Sequence, residues 1–320
     1  MAVLHANNFA TNLTSAVSAT DTTSPLNSIP TCDAPFYLAF DATNINGKYE
    51  VVYVTSKTAT NVNHAALSYD HTIAEEVRCV APAEELDAVS SGWMPMKETL
   101  TYSSADAPTY VCTTSTSLVA VVGVGSRIKL THGGSTKYFI VTAVDATTIT
   151  LYGGTDYTLA ATAITLPYYS IQKAPFGFPL DPTKWTVQNI QTVAAEQTSP
   201  SAATWYNKGG SLSIPIGVWK VNYQIHGYTY SDNLAMDFGT TLSTTNNSES
   251  NANWTYYSML EATKISVSKL SVTHTREGFL VLTSKATYYL NVITTKSSLA
   301  TMYVNSGWSP TIIRAVCSYL

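Results

Sequence analysis

Charge is what this 320-residue chain has least of. Lysine and arginine number 17, aspartate and glutamate 21, and charged residues reach only 12%, about half the usual share of roughly 25%. The net charge is −4 and the pI is near 5.8. No basic cluster stands out, which argues against nucleic-acid binding through phosphate neutralisation. Long hydrophobic runs are missing as well. The longest, Leu118 to Val122 continuing to Val124, is far shorter than the ~20 apolar residues of a membrane-spanning helix. The opening residues carry no charged region followed by a hydrophobic one, so no secretory signal is expected. Cysteine is sparse: Cys32, Cys79, Cys112 and Cys317 are scattered without a C-x-x-C pair. A Cys32–Cys79 disulfide is open, and separate buried thiols are the preferred reading.

Catalytic motifs are also lacking. Gly123-Val124-Gly125 has neither the third glycine nor the strand–helix setting of a dinucleotide site, and no Lys-Ser/Thr follows at phosphate-loop spacing. There is no G-x-S-x-G elbow. His5, His64, His71, His132, His226 and His274 show no metal-ligand spacing, so turn or packing roles are expected and no metal or cofactor. Asp232, Asp237, Glu249, Glu261 and Glu277 could supply a glycosidase pair. They stand in polar stretches with nothing to mark them, and solvated surface is the expectation. Long internal repeats, the mark of many polysaccharide-cleaving spikes, are absent.

What fills the chain is Thr, Ser, Val, Ala and 21 tyrosines. Threonine, valine and tyrosine favour strands, so the composition predicts an all-β protein. Gly209–Tyr230 is the most informative stretch. Leu212, Ile214 and Ile216 alternate with small or polar residues, and Val218, Trp219, Val221, Tyr223 and Ile225 follow a break at Pro215-Ile216-Gly217. Period two predicts two half-buried strands joined at that break. Further strands are expected at 279–282, 287–293 and 311–320, and pairing between the first and last would span about a hundred residues, as in Greek keys.

Earlier in the chain, Phe9, Leu13 and Val17 permit a short amphipathic helix. Phe36–Phe40 and 49–56 read as strands around an Asn44-Ile45-Asn46-Gly47 turn with a tight-hairpin signal, and 75–80 as another. Residues 82–92 read as a linker. Strands are expected at 93–102, 109–113, 126–131, 137–144, 147–152 and 168–171, and residues 174–185 as a proline-rigid connector. The division expected is 1–85, 86–180 and 181–320: two small β-barrel or sandwich modules followed by a jelly-roll-like β-sandwich.

Several runs resemble a known family. HANNFATNLTSAV, PFYLAF, YEVVYVTS and EEVRCVA look like the N-terminal module of minor structural proteins of tailed bacteriophages. GWMPMKETLTYSSADAPTYVC, GSRIKLTHGGSTKYFIVTAV and TTITLYGGTDYTLAATAITLPYYS, followed by APFGFP and a tryptophan, resemble a module of phage tail and fibre proteins. GVWKVNYQ, TYYLNV and TIIRAVCSYL are more loosely similar to jelly-roll fibre heads. The first module departs from the family where an RxxEGT-like turn is replaced by NVNHAALSYDHTIAEE.

The resemblance implies a non-enzymatic virion protein, a tail fibre or tail-tip component contacting the host surface. A head fibre or capsid decoration protein and a glycan-degrading tail spike are the alternatives. It implies a homotrimer, partners among other virion proteins, and contact with a host-surface glycan or protein, without membrane insertion. Tyr228, Tyr230, Trp254, Tyr256 and Tyr257, at strand ends or beside the polar stretch 243–254, are the candidate ligand-binding residues, because these side chains join apolar area to a hydrogen-bonding group.

Overall fold

A computed structural model describes residues 9–31, 34–80, 90–231, 235–261, 268–296, 299–304 and 309–320. Cys32, His5, Asp232 and most of the expected 82–92 linker lie outside them. The protein is all-β and antiparallel, and it divides into two compact units, Met1–Lys97 and Glu98–Leu320.

In the first unit, Ala10–Asn12 (β1), Thr23–Pro25 (β2), Phe36–Phe40 (β3), Glu50–Lys57 (β4), Asn61–His64 (β5) and Glu76–Cys79 (β6) form one sheet in the order β1-β6-β3-β4-β5-β2; Met94–Pro95 (β7) is a two-residue strand. Phe36, Leu38, Phe40, Val54 and Val77 are fully buried in its core. Two local expectations are corrected. The Phe9/Leu13/Val17 spacing does not make a helix. Leu13 bridges Leu26 and Val17 bridges His71, so both side chains enter the core from extended backbone. Nor does Asn46-Gly47 make a two-residue hairpin turn. The loop at 41–49 is wider because the buried Asp41 carboxylate accepts the N–H groups of Ile45, Asn46 and Lys48 at 3.0, 3.0 and 2.9 Å. One carboxylate thus replaces the ladder that a tight turn would have continued.

In the second unit, Leu100–Asp106 (β8), Thr109–Thr114 (β9), Arg127–His132 (β10), Ser135–Val144 (β11), Thr148–Tyr152 (β12) and Ile164–Ser170 (β13) pair in the order β13-β10-β11-β12-β9-β8. The connector ends in a 3-10 turn, Pro182–Trp185, capped by the Asp181 side chain. It is not merely a spacer. Trp185 is fully buried, donates through Nε1 to Pro179 O at 2.7 Å, and stacks on Phe178 at 5.1 Å.

Two further sheets follow. One has Thr186–Gln191 (β14), Thr311–Cys317 (β23), Gly217–Ser231 (β17), Leu299–Val304 (β22) and Ala195–Thr198 (β15) in the order β14-β23-β17-β22-β15. Ser268–Leu282 (β20) pairs along the whole opposite edge of β17. The other holds Thr204–Ile214 (β16), Ala286–Thr294 (β21), Ala235–Ser243 (β18) and Thr255–Glu261 (β19), in the order β16-β21-β18-β19. Trp219, Val221, Tyr223 and Ile225 face inward from β17, and Phe238, Leu242, Leu290 and Val292 are buried on the second sheet.

The break at Pro215-Ile216-Gly217 is a corner: β16 pairs with β21 and β17 with β20 and β23, so the chain changes sheet there. Proline ends one ladder and Gly217, at φ +130°, takes a backbone conformation closed to most side chains. The long-range pairing expected from alternation is present, with Trp219 opposite Cys317 and Gln224 opposite Ile312. Gly227 allows a close approach between the sheets, since a Cβ there would stand 2.2 Å from Phe238 Cζ.

Candidate functional site

The five aromatic candidates fall into two groups, and no ring contact among the described residues joins one group to the other. Alternation along β17 sends Tyr223 and Ile225 inward and leaves His226, Tyr228 and Tyr230 on the outer face. Cross-strand register then builds a row. Glu196 on β15 stands opposite Tyr303 on β22, Tyr303 opposite Tyr228, and Tyr228 opposite Ser271 on β20. Tyr228 and Tyr303 stack at 4.6 Å, and Tyr230 meets Tyr228 edge-on at 5.2 Å and Tyr303 at 6.3 Å. Lys269, opposite Tyr230, places its ammonium 4.0 Å from the Tyr228 ring centroid, a cation–π arrangement.

The electrostatics of the row follow from these neighbours. A hydrogen bond to Glu196 holds the Tyr303 phenol above its ordinary value. Burial, with Tyr230 and Glu196 nearby, pushes Tyr228 up as well. Burial, reinforced by the Lys269 charge, pulls His226 below its ordinary value. The row therefore presents neutral phenols, an ammonium and a carboxylate beside ring surface. Sequence reading found Tyr228 and Tyr230 but missed Tyr303, Lys269 and Glu196, which only strand register brings together.

The second group surrounds residues 244–254. Trp254 is buried. Its indole rests on Gly278, where a Cβ would lie 3.0 Å from the ring, and its carbonyl accepts the Tyr223 hydroxyl at 2.9 Å. Tyr256 and Tyr257, neighbours on β19, remain 46% and 42% exposed. Tyr256 packs edge-on against His274 at 4.8 Å, and Tyr257 lies tilted against Trp205 at 6.3 Å. A groove of about 490 Å³ runs beside Trp254, lined by Asn251, Asn253, Arg276, Glu277 and Phe279.

His274 is the buried titratable group of this region. Its Nδ1 lies 3.0 Å from Thr240 Oγ1 and its Nε2 2.9 Å from Ser258 Oγ, so one imidazole links both sheets. Burial pulls its pKa down to about 4, against an ordinary ~6.5. Between those two values the unfolded chain binds a proton that the folded chain refuses, so stability falls as pH falls through this window. The expected loss attributable to His274 is roughly 2–3 kcal/mol between about pH 7 and pH 4.5. Chemical denaturation of the wild type and His274→Gln across that range measures it; parallel pH profiles for the two proteins would refute the assignment.

Three of the five candidate carboxylates are described, and each makes structural contacts. Asp237 is not on solvated surface, as expected from sequence, but buried, where it accepts the Thr294 and Thr295 hydroxyls and the Thr295 N–H. Glu249 accepts the Thr255 hydroxyl, and Glu277 pairs with Lys220 at 3.0 Å on the surface. The Glu261 side chain lies outside what is described. Histidines of the first unit are packed likewise. His64 contacts Ser24 Oγ at 2.8 Å, and His71 lies between Glu50 and Glu75. Burial alone would push the Glu50 carboxyl up, but hydrogen bonds from His71 and the Ser68 and Tyr69 N–H groups hold it below its ordinary value. Among the described residues, no group of three or more His, Cys, Asp or Glu is placed to hold a metal ion, and no helix is long and apolar enough to cross a membrane. Cys112 and Cys317 are buried thiols, pushed by burial up to about 12 and about 11.

No family model and no curated protein matches this chain. Solved structures align to it weakly. The infectious bursal disease virus Gx strain covers 99% of this chain and 79% of its own at 11% identity and a TM-score of 0.23. The VP2 subviral particle of that virus covers 98% and 76% at 11% identity and a TM-score of 0.24. The tandem CBM22 domains of Xyn10C from Paenibacillus barcinonensis cover 70% and 93% at 12% identity and a TM-score of 0.18. Likeness at that level carries no argument about fold or function.

Proposed function

We propose that this chain is a non-enzymatic structural component of a tailed-phage virion, a tail fibre or tail-tip protein whose β-sandwich contacts the host surface. The sequence runs in both units that resemble phage minor structural proteins support this reading. The observation that carries the contact role is the Glu196–Tyr303–Tyr228 row with Tyr230 and Lys269 on the outer face of the first sandwich sheet. Flat apolar rings flanked by hydrogen-bonding groups suit a hydroxyl-rich or mixed polar surface. The same side chains would serve a head fibre equally well, and only position on the particle separates the two readings.

Cryo-electron microscopy of the intact particle carrying this protein is the test. Density at the tail with the sandwich outward is the expected result, and purified protein should then compete with particle adsorption. Density on the capsid would favour a head fibre or decoration protein, and a sandwich enclosed by other proteins would overturn the contact role.

A further inference from the structure

Among the described residues, one whole side of strand β20 is unpaired. Its 15 residues pair with β17 in unbroken register from Ser268 opposite Ser231 to Leu282 opposite Gly217. On its other side no backbone hydrogen bond is made among the described residues. Long edges of this kind are ordinarily blunted by proline, bulges or inward-pointing charges, because they template pairing with another chain. β20 has no proline and no bulge against β17.

Its exposed face is also patterned. Lys269, Ser271, Thr273, Thr275 and Glu277 all project outward at alternate positions. An antiparallel partner related by a two-fold axis perpendicular to the sheet must pair residues of the same face. With the axis at Thr273, Lys269 falls opposite the partner's Glu277, Ser271 opposite the partner's Thr275, and Thr273 opposite itself. Two symmetry-related charge pairs then form, one residue of each from either copy, and the hydroxyl rows meet as favourable cross-strand pairs. Among the described residues Lys269 is held by the Tyr228 and Tyr230 rings and Glu277 by the exposed Lys220. Such contacts are weak and re-form easily.

We propose that a second copy of this chain docks on β20 through this two-fold register, making one continuous sheet across the pair. An edge ladder buries less than a standard interface, so the expected dissociation constant is on the order of 10 µM. Such an association becomes populated where copies are held close together.

Sedimentation velocity on the full chain from about 1 to about 100 µM tests this. A monomer–dimer equilibrium is expected. Lys269→Glu alone and Glu277→Lys alone should each weaken it about tenfold by setting like charges across the axis twice. The double swap, Lys269→Glu with Glu277→Lys, should restore it. Thr273→Asp should abolish it while leaving the thermal midpoint unchanged, which separates loss of docking from loss of folding. A monomer at every concentration, or a trimer as the family resemblance implies, would overturn the proposal. So would a dimer indifferent to all of these substitutions.

Discussion

Trp219→Ala is expected to destabilise the second unit by about 3–5 kcal/mol, the range for removing a fully buried aromatic. Trp219 has no exposed surface, and it does more than fill the sandwich. Its ring meets Tyr152 of β12 at 5.1 Å, Tyr152 meets Trp185 at 5.9 Å, and Trp185 stacks on Phe178. Its Nε1 donates to Pro215 O at 2.8 Å, fixing the corner between the sheets. The aromatic chain therefore spans the sheet of residues 100–170, the connector and the sandwich, and truncating its sandwich end should lower the melting temperature by roughly 10 °C. Tyr152→Phe provides the contrast. The Tyr152 hydroxyl is buried with no hydrogen-bond partner among the described residues, so removing it should be neutral or stabilising by about 1 kcal/mol. A Tyr152→Phe protein as unstable as Trp219→Ala would mean that the hydroxyl, not the ring packing, holds this joint.

Arg127→Met is expected to have the next largest effect, a loss of about 3 kcal/mol or more. Arg127 is fully buried at the start of β10 and faces carbonyls, not carboxylates. Nη1 donates to Gly125 O at 2.6 Å, Nη2 to Tyr319 O at 2.7 Å and Nε to Lys173 O at 3.1 Å, with Phe178 beneath the guanidinium at 4.9 Å. Burial pulls its pKa down, but an arginine starts so high that it stays charged. Methionine replaces the volume and leaves three carbonyls without a donor, each at about 1 kcal/mol or more. Lysine should rescue little, since one ammonium cannot span three directions. Because Tyr319 lies beside β23 and Lys173 in the connector, Arg127→Met should also split one thermal transition into two. Calorimetry showing a single transition at the wild-type midpoint would refute the role assigned to this residue.

The features legible in sequence were those set by alternation. The strands of 209–230, the 126–152 series and the return of 311–317 to pair with β17 all follow from period two, because half-buried strands must put every second side chain in the core. The features that were not legible depend on register or on a polar group where apolar ones are expected. Asp41 and Arg127 bear no mark in the sequence, and nothing local shows that backbone groups will close around them. Leu13 and Val17 satisfy helical and extended readings alike, and only the strands they bridge decide between them. His274 did carry a signal: it sits in the phase of Leu270, Val272 and Leu280, the inward phase of β20. The tyrosine row was half visible, since Tyr228 and Tyr230 share one strand while Tyr303 and Glu196 arrive from others.

The return of β23 to pair between β14 and β17 bears on how the protein is made. β14 pairs with β23 from Thr186 opposite Val316 to Gln191 opposite Thr311, and β17 also waits for β20 and β23. A ribosome therefore exposes β14, β15, β17, β20 and β22 before the strand that completes their sheet exists. Such long-range closure is slow and leaves strand edges open meanwhile. Folding of the sandwich is thereby timed to follow synthesis of residues 311–317.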